Sequence, residues 1–336
     1  MSTGEQPPPR SGATRIADGA DGDGAGGEAG GCIFLADADR RFFTPTGHAR
    51  GPWDPRALHG GAPAALIAGE LERIEPGAEL PIARLYFEFL RPVPLAPLEL
   101  TTRVTRPGRR VQALEAELRA GDEVVCRARA LRILAVPDEL PASAALAPQH
   151  DPRDPATNAG GGTDGGPDPA TNSGGAAAGG PDPAPLPGPE RARPVRFALD
   201  TLDRDSFAAT AIEMRFLKGG ALGGVPHDRP PILGPADVWM RLRHPVLPGE
   251  EPSPLARVAA AADFGNGVSA VLPFGEYLFI NADLSIDLDR RPRGEWIGLQ
   301  SRTLLHPGGI GWAESRLHDE HGPLGVAKQT LVVQRR

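Results

Sequence analysis

Three polar side chains stand among apolar neighbours in the C-terminal third of the chain, and their types suit the handling of a proton or a water. Asp263 closes a short alanine-rich helix whose buried stripe reads Leu255, Val258, Ala259 and Ala262. A carboxylate in the last turn faces the negative end of the helix dipole, an unfavourable placement of about 0.3–1 kcal/mol when exposed. A residue that breaks a local rule in this way is a candidate for function, here through its basicity. Gln329 lies in the last strand and shares a face with Ala327, Leu331 and Val333, so its amide projects into an apolar layer. A buried amide without partners costs about 1–3 kcal/mol, so Gln329 is expected to hold another side chain or a water. Strict alternation groups Asn281 with Tyr277, Phe279, Asp283 and Ser285, opposite the apolar set Leu278, Ile280, Ala282, Leu284 and Ile286. A bend or bulge at the strand start would re-aim it. We expect the three to converge on one site.

The elements that position them follow from local signals. Ser253-Pro254 reads as a hydroxyl cap followed by proline, a good helix start, and Gly265 and Gly267 mark its stop. Phe207 to Phe216 and Ala236 to Leu242 read as the opening strands of this half. In the first half, Gly60-Gly61 opens a second helix with Pro63 in its first turn and Ala64, Ile67, Leu71 and Ile74 at helical spacing. Alternating runs follow at Leu85–Phe89, Leu100–Val104 and Val124–Ala130, with turns at Pro107-Gly108 and Gly121-Asp122.

The two halves repeat. Arg91-Pro92 recurs as Arg291-Pro292 and Pro107-Gly108 as Pro307-Gly308, a displacement of 200; Glu115 and Leu118 recur as Glu314 and Leu317, a displacement of 199. An ordered series with one slip points to duplication. The position matching Gln329 in the first copy is Ala130, so that copy lacks the amide. One helix followed by an antiparallel meander, twice over, predicts an α+β double hotdog: two tandem units, each a sheet wrapped around a central helix. The expected division is a disordered tail over 1–30, a first unit over 31–136, a disordered Pro/Gly/Ala linker over 137–194 and a second unit over 195–336. The tail and linker hold too few large apolar side chains to offset the entropy of ordering.

Composition narrows the function. The chain of 336 residues carries a net charge of −7 and no basic stripe, which argues against a nucleic-acid partner. Its two cysteines, Cys32 and Cys126, show neither disulfide nor metal-ligand spacing, so no cofactor or metal is expected and a reducing cytoplasm fits. No run of about 18 apolar residues is present, so no membrane span is expected. Serine-nucleophile elbows, phosphate loops and dinucleotide fingerprints are also missing.

Ala-Ala-Asp263-Phe, Asn281-Ala-Asp-Leu-Ser285 before Arg291-Pro292, and Ala-Lys-Gln329-Thr together resemble the second half of the bacterial thioesterase II type acyl-CoA thioesterases. Phe279 to Trp296 is similar to actinobacterial members of that superfamily, and Trp53, His59-Gly60-Gly61 and Phe89-Leu-Arg-Pro92 fit its first half. The resemblance implies an acyl-CoA substrate, hydrolysis by a positioned water, and a dimer of the doubled chain. Carried over, Asp263 would orient or deprotonate the water, Gln329 would hold it, and Asn281 would stand where the family has threonine, with Ser285 as the fallback if the register slips. His59, Gly60 and Gly61 would bind substrate, a backbone N–H of the glycine turn polarising its carbonyl.

Two rival readings attach to other features. Asp54 and His59 are similar in spacing to the acid and base of hotdog enoyl-CoA hydratases, and a fold of this kind could also hold an acyl-CoA without turning it over.

Overall fold

The computed structural model describes residues 31–75, 80–135, 186–195, 205–220 and 232–336. The tail expected over 1–30 and most of the expected linker lie outside these residues. Residues 186–195 are described, and they belong structurally to the second half. Strand β7 (Arg193–Val195) pairs with β8 (Ile212–Gly220), and the indole of Trp239 donates to the carbonyl of Pro187.

The first half carries β1 (Phe34–Ala36), β2 (Phe42–Pro45), α1 (Gly61–Arg73), β3 (Ile82–Phe89), β4 (Leu98–Arg106), β5 (Val111–Ala120) and β6 (Glu123–Ile133). The second adds β9 (Ile232–Leu242), α2 (Pro254–Ala262), α3 (Gly265–Val268), β10 (Tyr277–Asn281), β11 (Asp283–Leu288), β12 (Ile297–Leu305), β13 (Ile310–Asp319) and β14 (Gly322–Arg335). All strands join one sheet in the order β1-β2-β4-β5-β6-β3-β11-β14-β13-β12-β9-β8-β7, with β10 alongside β14. The halves meet where β3 pairs antiparallel with β11, from Asp283 opposite Glu88 to Asp287 opposite Arg84. Read outward from that seam, the two half-sheets have the same strand order.

The duplication is visible in the strand bounds. β12, β13 and β14 begin at Ile297, Ile310 and Gly322, each 199 residues beyond Leu98, Val111 and Glu123, where β4, β5 and β6 begin. The 200-residue match of Pro107-Gly108 with Pro307-Gly308 is therefore a one-place offset inside a turn. The solvent side of the sheet repeats at 199 as well: Glu115 sits between Arg103 and Arg129 across neighbouring strands, and Glu314 between Arg302 and Lys328. Arg103, Arg129 and Arg302 make the corresponding ion pairs.

Both helices lie inside this wrap. Gly61 to Ala68 of α1 are all buried, as are Leu255, Ala256 and Val258 to Ala262 of α2. Such a helix must be apolar on every side, and alanine lets α1 and α2 pack closely. Ser253 Oγ accepts from the Ala256 N–H, as its position before Pro254 predicts. A single apolar cluster runs through both halves, from Ile33 and Phe34 to Leu324 and Ala327. No described helix is long and apolar enough to cross a membrane.

Two expected elements differ. Phe207–Ala211 is a π-helical turn rather than strand, started by Ser206 Oγ accepting from the Ala209 N–H, and β8 begins only at Ile212. Gly265 and Gly267 do not end the helical path; they lie in α3, which continues it after a break.

Candidate active site

That break explains Gln329. The helical ladder is interrupted between Asp263 and α3, leaving a carbonyl and an N–H without helical partners. Gln329, reaching in from β14, meets both: its Nε2 donates to the Asp263 carbonyl at 2.8 Å and its Oε1 accepts from the Asn266 N–H at 2.9 Å. The amide is 2 % exposed, so these bonds stand in a dry layer. What Gln329 holds is thus the backbone around Asp263, with a weaker 3.5 Å approach of Nε2 to Asp263 Oδ1. In the first copy Ala130 fills the matching position.

Asn281 is turned inward by a slip in register. β10 pairs with β14 from Tyr277 opposite Arg335 to Asn281 opposite Leu331, whereas β11 resumes from Ser285 opposite Lys328, one place out of step. The extra residue falls at Ala282–Asp283, where the Asp283 carboxylate accepts the Thr330 N–H at 2.6 Å. Before the slip the odd-numbered side chains face in, Phe279 among them; after it Leu284 and Ile286 are buried. Asn281 therefore points inward and donates from Nδ2 to Asp263 Oδ1 at 2.5 Å. Ser285 lies beyond the slip, on the face opposite Leu284 and Ile286, and does not reach Asp263.

The first half supplies the other wall. His59 Nδ1 lies 2.9 Å from Asp263 Oδ2 and 3.1 Å from the Gly61 nitrogen. A bare ring nitrogen against a carboxylate would be repulsive, so the Nδ1–H tautomer, donating to Asp263, is the consistent one. The Gly61 N–H, in the first turn of α1, is directed at the same ring nitrogen. The ring packs against Phe207 and Phe264, with centroids 5.1 and 4.3 Å away, and the two phenyl rings also stack on each other at 5.9 Å. A Cβ on Gly60 would come within 2.9 Å of both Asp263 oxygens, and one on Gly61 within 2.8 Å of the Ala260 carbonyl. Gly60 has ordinary helical dihedrals, so alanine there meets a steric limit, not a backbone one. Gly60→Ala is expected to fold but to displace the carboxylate and lower kcat by about 100-fold, the scale for roughly 1 Å of misplacement; circular dichroism beside a rate assay checks both halves of the statement.

The result is a carboxylate 4 % exposed with donors on both oxygens and lone pairs to spare for a water. Burial, and then the nearby Asp263 carboxylate, push the Cys126 thiol above its ordinary range, so this buried cysteine stays protonated and is a poor nucleophile. Asp54 is elsewhere engaged: it pairs with Arg56, and the carboxylate facing His59 is Asp263. Sequence reasoning missed the two phenylalanines around His59 and also Asn266, whose place beside Gln329 depends on the helix break.

Two family models match in sequence: the acyl-CoA thioesterase N-terminal domain over residues 49–133 and the acyl-CoA thioesterase C-terminal domain over residues 181–333. The chain belongs to the acyl-CoA thioesterase family. Solved structures agree on the fold of this acyl-CoA thioesterase. A candidate thioesterase II from Thermobifida fusca YX and a protein of unknown function with a hot dog fold from Alicyclobacillus acidocaldarius each superpose with a TM-score of 0.56 at 16% identity, covering 90% of this chain and 95% of theirs. An acyl-CoA thioesterase II from Mycobacterium marinum gives a TM-score of 0.50 at 16% identity over the same shares. No curated protein matches in sequence. The fold is the double hotdog, and the family activity is hydrolysis of acyl-CoA thioesters.

Proposed function

We propose that this thioesterase cleaves acyl-CoA with a water activated by Asp263 and positioned by the constellation of Asn281, Gln329 and His59. The observation that carries the reading is the Asp263 carboxylate, buried and fixed from both halves of the chain at 2.5 Å by Asn281 and 2.9 Å by His59. A water bound to Asp263 gives it a proton as its oxygen attacks the thioester carbon. The C–O bond forms, the C–S bond breaks, and the proton passes to the leaving thiolate, giving free acid and CoA. Negative charge developing on the carbonyl oxygen is met at the positive N-terminal end of α1, where the Gly60-Gly61 turn lies beside Asp263. Asn281 cannot act as a hydroxyl; its part is to lock Oδ1. Gln329 acts one step back, as a positioning residue.

The test is free-thiol release from short, medium, long and aromatic acyl-CoAs. Turnover of at least one class is expected, and failure on all of them, with enoyl-CoA hydrated instead, would sink the reading. We also place the enzyme in the cytoplasm, consistent with two buried unpaired cysteines, and as a homodimer. The exposed row Ile280, Val332 and Ile310 across β10, β14 and β13 is a candidate contact for the dimer. Cell fractionation and sedimentation of the full chain read these directly.

A further inference from the structure

A row of aromatic side chains leads away from Asp263. Asn281, which holds the carboxylate, shares its face of β10 with Phe279 and Tyr277, and at the rise of a strand the three span about 13 Å. Phe274 meets Phe279 edge-on at 5.6 Å between centroids and stacks on Trp53 at 5.4 Å and 21°. The Arg336 guanidinium lies over Trp53, 5.3 Å from the ring centre, and Arg335 is the cross-strand neighbour of Tyr277. The row begins buried, with Phe279, and ends in the partly exposed Trp53, Phe274 and Tyr277 and the exposed arginines.

The outer end carries two cations beside the aromatic ring. Most arginines on the sheet are paired with carboxylates, and Arg56, in the Trp53 loop, is paired with Asp54. Neither Arg335 nor Arg336 takes part in an ion pair among the described residues. In a chain of net charge −7, two uncommitted cations beside an aromatic ring suit an anionic group carrying a flat base.

Coenzyme A has that layout: a thioester at one end, an amide-bearing, largely apolar arm in the middle, and adenosine with a 3′-phosphate and a 5′-diphosphate at the other end. With the thioester at Asp263, the arm must run outward before the nucleotide is reached. Resting on the thioesterase reading above, we propose that Trp53 stacks the adenine of the substrate and that Arg335 and Arg336 bind its phosphates, with Phe274 and Phe279 flanking the arm. Arg336 is exposed, so it can yield its place over the indole to the base and turn to a phosphate. Arginine is suited to both contacts, since it stacks on rings and binds phosphate in a fork.

The experiment titrates adenosine 3′,5′-bisphosphate into the full chain, into Trp53→Ala and into the double variant Arg335→Gln/Arg336→Gln, and then compares hydrolysis of one acyl group carried on CoA and on N-acetylcysteamine. Each variant is expected to bind the nucleotide about tenfold more weakly and to raise KM for acyl-CoA by about the same factor, as loss of one stacked base or phosphate contact would. The kcat and the truncated thioester should be unaffected. The double variant changes only exposed positions, so it answers even if Trp53→Ala folds poorly. Failure of the wild type to bind the bisphosphate, equal binding by the double variant, or an equal KM rise on the truncated thioester would each overturn the proposal. Nucleotide binding that follows this pattern in a protein that cleaves no thioester would uphold the subsite and remove the hydrolytic reading alone.

Discussion

Asp263→Asn is expected to cut kcat for acyl-CoA hydrolysis by about 1000-fold while leaving KM within a factor of two or so. The loss is that of a positioned general base, whose contribution is about 100- to 10,000-fold. Asparagine has the same shape, keeps an oxygen for the Asn281 Nδ2 contact, and opens no cavity. It cannot take a proton from water. Because the proposed mechanism has the carboxylate touch the reacting water and none of the outer substrate, binding should survive, and thermal denaturation should show a folded protein. Thiol release at saturating substrate, with the melting curve beside it, gives both numbers. A variant that keeps more than a tenth of the wild-type kcat would mean that another group activates the water.

Gln329→Leu should act through stability as well as rate. Leucine fills the space but leaves the Asp263 carbonyl and the Asn266 N–H unpaired in a buried layer, at about 1–3 kcal/mol each. A drop of about 2–5 kcal/mol in unfolding free energy is expected on that basis. The break between α2 and α3 would relax, and Asp263 would lose its fixed backbone, so kcat should fall even where the protein remains folded. Gln329→Glu is a sharper probe. It preserves the acceptor for Asn266, but replaces the donor to Asp263 with a carboxylate oxygen facing both the carbonyl and Oδ1. Denaturant titration of the three proteins, with rates measured under native conditions, separates the contributions. A leucine variant of wild-type stability would show that the amide does not hold the break.

Much of the scaffold was legible in the sequence because it rests on local rules. The Ser253 cap, the all-round apolar helices and the alternating meander are set by neighbours within a few residues. The duplication was legible for a similar reason, since strand lengths and turns repeat almost without insertion over β4 to β6 and β12 to β14. That Asp263, Asn281 and Gln329 lie together was legible, but their wiring was not. Asn281 read as outward because alternation carries no sign of a one-residue slip, and the slip is secured by Asp283 reaching a backbone N–H in another strand. Two glycines after Asp263 read as a stop because their usual effect is to end a helix; the side chain that spans the gap comes from 63 residues further on. The packing of Phe207 and Phe264 around His59 depends on three separate segments, and no spacing within any one of them announces it.

The seam at which β3 meets β11 has a further bearing on how the enzyme behaves when dilute. His59, Gly60 and Gly61 come from one side of that seam and Asp263, Asn281 and Gln329 from the other, so neither hotdog unit carries the whole constellation. Were the units separate molecules, the proposed active centre would depend on an encounter, and its abundance would fall with concentration. Joining them in one chain replaces that encounter by an intramolecular one, which does not fall with dilution. The assembled centre then exists at any dilution at which the chain itself is folded, and specific activity should hold constant down to nanomolar enzyme.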